Sequence, residues 1–94
     1  MRMEFVFNKE KSVEKKMDLK KCYERLDDYF DQRGIQKIGC GMYCGDNLED
    51  GGREVFLEAH RYLENESWFF LVVDSWGCMN SDSQYVLKVF VHGN

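Results

Sequence analysis

One stretch of this chain repeats with the period of a helix and no other, and most of the segments that follow it alternate with the period of a strand. That contrast limits the possible folds more than any other feature of the sequence. Leu19, Cys22, Tyr23, Leu26, Tyr29 and Phe30 recur at spacings of three and four, while Lys20, Lys21, Glu24, Arg25 and Asp28 fill the outward positions. Ser12 is a candidate N-cap and Gly34 a stop signal, so the spacing predicts one long helix over residues 12–33. A lone amphipathic helix has to lay its apolar stripe on a second layer.

The remaining segments supply that layer. Met3, Phe5 and Phe7 alternate with Glu4, Val6 and Asn8, which suits a short half-buried strand. Ile38, Cys40, Met42 and Cys44 alternate with Gly39, Gly41, Tyr43 and Gly45, and the bare glycine face calls for a close neighbour or a bend. The polar segment 46–52 reads as a turn or loop. Residues 53–63 fit two patterns, a helical stripe of Val55, Phe56, Ala59, Tyr62 and Leu63 or a strand interrupted by Arg61. The strand-rich sequence that follows favours the strand. Trp68 to Val73 is a β-branched and aromatic run, and Tyr85, Leu87, Val89 and Val91 alternate with Val86, Lys88, Phe90 and His92. The expected class is α+β, one long helix on a mainly antiparallel sheet, in the order β-α-β-β-β-β. That element order resembles the cystatin-like architecture, although the cystatin inhibitory hairpin is missing: Gln36-Lys37-Ile38-Gly39-Cys40 misplaces the glycine and the chain has no proline.

At 94 residues the chain is one domain, 1–94, and its fourteen aromatic residues supply a core that intrinsic disorder would lack. Net charge is −4, which disfavours direct nucleic-acid binding, since such affinity comes largely from Lys and Arg on phosphates. Residues 1–25 hold eight basic and five acidic side chains, whereas residues 26–94 hold five basic and twelve acidic. The first residues are charged too early for an export signal, and no apolar run approaches the ~18 residues of a membrane span. A cytoplasmic protein with four reduced thiols, Cys22, Cys40, Cys44 and Cys78, is the expectation.

No set of residues spells out a reaction. On a strand, Cys40 and Cys44 would stand about 13 Å apart, too far to share one zinc ion, so Cys78, His60 or His92 could complete a site only around a loop. His60 and His92 sit in no motif. Asp46 to Gly51 echoes a calcium loop but has Leu48 and Leu57 where two ligands belong, and Gly39, Gly41 and Gly45 lack the Lys-Ser/Thr ending of a phosphate loop. The chain is expected to be non-enzymatic, with no cofactor and no metal.

Surfaces remain. Asp46, Glu49 and Asp50 share one loop, Glu64 and Glu66 the next turn, and Asp27, Asp28 and Asp31 the end of the helix. Such carboxylates can form charge-assisted bonds to Arg and Lys on a partner with a basic surface. In size, charge and lack of catalytic residues the chain resembles the small acidic inhibitors of phage and mobile elements, the anti-CRISPR proteins among them. That likeness implies an inhibitor of a nucleic-acid-processing enzyme acting through Asp46, Glu49, Asp50, Glu64 and Glu66. The alternative is a homodimeric assembly domain. Trp68 and Trp76 share a strand parity with Phe70 and Val72, which would leave Phe69, Leu71 and Val73 on an opposite apolar face for a second copy.

Overall fold

The structure is a computed structural model that describes residues 1–82 and 84–90. Strand β1 (Arg2–Phe7) leads into helices α1 (Lys9–Glu14) and α2 (Leu19–Asp31). The hairpin β2 (Gln36–Gly39) and β3 (Met42–Cys44) follows, then α3 (Arg53–Glu64), α4 (Ser67–Val72), β4 (Val73–Met79) and β5 (Tyr85–Phe90). The five strands form one sheet in the order β2-β3-β1-β4-β5, and every neighbouring pair is antiparallel. The α+β class with an antiparallel sheet is as the sequence indicates, but the single long helix and the β-α-β-β-β-β order are not.

The first correction lies at residues 15–18. Asn8, not Ser12, caps α1, its Oδ1 accepting from the Lys11 N–H at 2.9 Å, while Ser12 is buried inside the helix and donates to the Lys9 carbonyl. Lys16 then turns left-handed at φ 56°, and the Asp18 carboxylate caps α2 by accepting from the Lys20 N–H at 2.9 Å. The stripe behaves as expected from there on: Cys22, Leu26 and Phe30 are buried and the helix stops before Gly34.

The second correction is the segment 38–44, which is a hairpin rather than one strand. Gly41 adopts φ +71°, and a Cβ on it would stand 2.7 Å from the Phe5 carbonyl oxygen, so the turn lies tightly against β1. Gly45 touches the Gly51–Gly52 backbone with the same intimacy, a Cβ there meeting the Gly51 oxygen and the Gly52 Cα at 2.6 Å. The bare glycine face therefore has both the bend and the close neighbour that its sequence called for.

The third correction concerns 53–73. Residues 53–64 form helix α3, with Phe56, Ala59 and Leu63 buried on one face, and the Asp50 carboxylate accepts from the N–H groups of Gly52 and Glu54 at its start. The run from Trp68 is not a strand but one helical turn followed by the start of β4, in which Trp68, Phe69, Val72 and Val73 are buried at once. Trp68 and Trp76 thus lie on different elements. Phe69 and Val73, expected on a face open to a second copy, are wholly inside the core.

The register pairs Met3 with both Tyr43 and Cys78, and Phe5 with Trp76, so these side chains share the face that the helices cover. Phe5, Phe30, Tyr43, Phe69 and Trp76 form a continuous aromatic core, Phe30 and Tyr43 lying 4.4 Å apart and Phe69 and Trp76 4.9 Å apart at the ring centroids. Arg2, Glu4 and Val6 point to the opposite face of the sheet, where the Tyr85 hydroxyl donates to Glu4 at 3.2 Å. The expected last strand holds over Tyr85–Phe90; Val91 and His92 lie outside the described residues.

Candidate functional site

The five carboxylates singled out in the sequence fall into two groups at opposite ends of α3. Asp46, Glu49 and Asp50 lie in the loop before it, Glu64 closes it and Glu66 precedes α4. A helix of twelve residues separates the groups by about 18 Å.

Most of these acids already have internal work. The Asp46 carboxylate receives the N-terminal ammonium of Met1, and that bond holds its carboxyl below the usual carboxylate range. Asp50 is the capping group of α3, and the backbone N–H groups of Glu54 and Gly52 likewise hold it low. Glu64 lies 2.8 Å from Nε2 of His60, and Glu66 bonds to the Tyr62 hydroxyl. Glu49 is exposed. At the helix end, Asp27 accepts from the Tyr43 hydroxyl at 2.6 Å and from Lys37 at 2.9 Å. Burial, and then that bond to Asp27, push the Tyr43 phenol up.

Two acids that the sequence analysis passed over join the surface. Glu54 and Glu58 are exposed and four residues apart on α3, with Glu58 3.8 Å from Arg33. On the strand expected over 53–63, positions 54 and 58 share a face but stand about 13 Å apart. Taken as a helix, the same segment aligns Glu54 and Glu58 on one flank. Glu54 and Glu58 then stand together on the solvent side of α3, with Glu49 exposed in the loop before it and Arg61 one turn on, while Glu64 lies round the helix beside His60.

The thiols and histidines do not converge. Cys22 and Cys78 are buried, Cys44 is half-buried, Cys40 is exposed in the hairpin turn, and all four are unbridged. Among the described residues no three His, Cys, Asp or Glu side chains come together in a way that could hold a metal ion. His60, expected on a strand, lies on α3 between Trp76 and Glu64. No helix among the described residues is long and apolar enough to cross a membrane.

Beside His60 runs a feature with no counterpart in the sequence analysis. Arg53, Phe56, Leu57 and His60 share one side of α3 and face Cys78, Val86 and Leu87 of the sheet across a groove of about 450 Å³. Taken together, the architecture is that of a two-layer α+β domain with an acidic helix and an apolar groove at its side. Comparison with protein-family models, curated proteins and solved structures finds no match to this chain.

Proposed function

We propose that this chain is a small non-enzymatic binding protein whose partner is a protein with a basic surface, in the manner of anti-CRISPR-type inhibitors of nucleic-acid-processing enzymes. The observation that carries this reading is the pair of exposed carboxylates Glu54 and Glu58 on α3, a helix backed by the core through Phe56, Ala59 and Leu63, with Glu49 exposed in the loop that leads into it. Carboxylates held on a rigid helix lose little freedom when Arg and Lys reach them, and their summed field speeds encounter with a cationic surface. Asp46 and Asp50 contribute field but serve the fold first, and Glu66 is tied to Tyr62. The net negative charge favours contact with the enzyme rather than with its nucleic acid. A cytoplasmic setting belongs to the same proposal.

The test is capture of partners on the immobilised chain, followed by association kinetics at several salt concentrations. Replacing Glu49, Glu54 and Glu58 together by Gln should slow association at low salt, flatten its salt dependence and leave the circular dichroism spectrum unchanged. If the triple variant associates as fast as the parent at every ionic strength, the acidic face of α3 is not the binding surface.

A homodimer is the second reading, and β5 is what favours it. This strand is an edge of the sheet, and Tyr85, Val86 and Phe90 are 47%, 57% and 65% exposed. Sedimentation across a hundredfold range of concentration separates the two: capture that yields only the chain itself, with a concentration-dependent dimer, replaces the inhibitor with an assembly domain.

A further inference from the structure

The groove beside α3 has a polarity of its own. Its helical wall is made by positions 53, 56, 57 and 60, one side of the helix, so it runs about 10 Å from Arg53 to His60. Between these ends the walls are apolar: Phe56 and Leu57 on α3, Leu87 and Cys78 on the sheet. The two ends differ in what they offer a ligand.

At the His60 end both ring nitrogens are engaged, Nδ1 accepting from Trp76 at 3.1 Å and Nε2 meeting Glu64 at 2.8 Å, so the imidazole presents no free polar atom to the groove. At the other end stands Arg53, exposed and forming no ion pair among the described residues. The neighbouring acid, Asp50, feels the Arg53 charge but forms no ion pair with it, its two oxygens accepting instead from the backbone N–H groups of Gly52 and Glu54. The other cation at the groove, the Met1 ammonium, is held by Asp46. An arginine in no ion pair therefore lines one end of an apolar slot whose other end, at His60, has its polar atoms already engaged.

We infer that this groove binds a medium-chain carboxylic acid, its carboxylate on Arg53 and its alkyl chain lying along Phe56 and Leu57 toward His60. The size agrees. A volume of about 450 Å³ is within the range of small-molecule sites. Arginine matches a carboxylate through two parallel N–H bonds, which a neutral head group cannot reproduce. The inference does not depend on Glu54 and Glu58, which lie on another side of the same helix.

The experiment titrates the full chain with decanoate and, separately, with decanol, by calorimetry and by amide chemical shifts. Decanoate should bind saturably at one site, moving the amides of Phe56, Leu57, Val86 and Leu87, and decanol should bind about tenfold more weakly. Arg53→Gln, a change at an exposed helix position, should weaken decanoate about tenfold and leave decanol as it was. Leu57→Glu, which puts a like charge on the groove wall, should remove binding of both, with an unchanged circular dichroism spectrum verifying that each variant folds. Equal affinity for acid and alcohol, an unaltered decanoate affinity in Arg53→Gln, or the absence of saturable decanoate binding overturns the assignment.

Discussion

The indole Nε1–H of Trp76 on β4 donates to Nδ1 of His60 on α3 at 3.1 Å, and this bond settles which nitrogen of the histidine carries its proton. With Nδ1 accepting, the proton sits on Nε2, where it points at Glu64 2.8 Å away. Trp76 is almost wholly buried, so its N–H has no water to turn to.

Replacing His60 by Ala should therefore destabilise the domain by about 1–3 kcal/mol, the cost of an unpaired buried donor. Glu64→Gln should cost less than 1 kcal/mol, since that pair is half exposed. Urea unfolding followed by tryptophan fluorescence measures both, and nitrogen-15 shifts of the imidazole report the tautomer directly.

Among the described residues Lys16 is the only non-glycine residue with positive φ, at 56°. A side chain in that region is strained, so Lys16→Gly should raise stability by about 1 kcal/mol, whereas Lys16→Val should lower it. The midpoint of thermal unfolding reads the sign. An increase for both would mean that the break between α1 and α2 is not held in this geometry.

Two glycines of the same alternating segment should respond differently to alanine. At Gly45 the new methyl meets backbone atoms at 2.6 Å, and Gly45→Ala should cost about 1–3 kcal/mol. At Gly39 the nearest atom is the Met42 sulfur at 3.1 Å, the end of a flexible side chain, and Gly39→Ala should stay within about 0.5 kcal/mol. Denaturant midpoints for the two variants are the comparison.

The thiols form an order of reactivity. Cys40, exposed, should react first with a disulfide reagent, and Cys22 and Cys78 only on unfolding. Burial pushes the Cys78 thiol up to about 11 from an ordinary 9.0. Between those values the unfolded chain loses this proton while the folded chain keeps it, so the folded state binds more protons and stability falls as pH rises through the window. Unfolding free energy measured from pH 8 to pH 11 should decline, and the decline should be shallower in Cys78→Ala.

How far the fold was legible depends on the kind of signal. The stripe of α2, the alternation of β1 and the β5 pattern are local and strongly periodic, and each became the element it announced. The break at Lys16 left no gap in apolar spacing; only Asp18 immediately before Leu19 marked a new helix start. The run from Trp68 to Val73 misled because a fully buried helical turn and a buried strand are equally apolar over six residues. Residues 53–64 carry the helical stripe openly, but the strand-rich sequence after them favours a strand, a neighbour effect that burial of Phe56, Ala59 and Leu63 on one helical face outweighs. For the site, exposed acids were visible as acids, but nothing local could foretell that the chain's own first residue would arrive beside Asp46, forty-five positions away. The groove depended on α3 lying across β4 and β5, which no single segment encodes.

The first strand of the chain is the middle of its sheet, and this sets the order of events at the ribosome. β1 is made before either of its neighbours but needs β3 on one side and β4 on the other, and the Arg2–Met79 pair joins residues seventy-seven positions apart. Until residue 79 is outside the exit tunnel, β1 has at best one of its two edges covered, and the apolar side of Met3, Phe5 and Phe7 waits without most of its core. Completion therefore waits for β4, and a stalled chain lacking it would expose the very strand on which everything else is assembled.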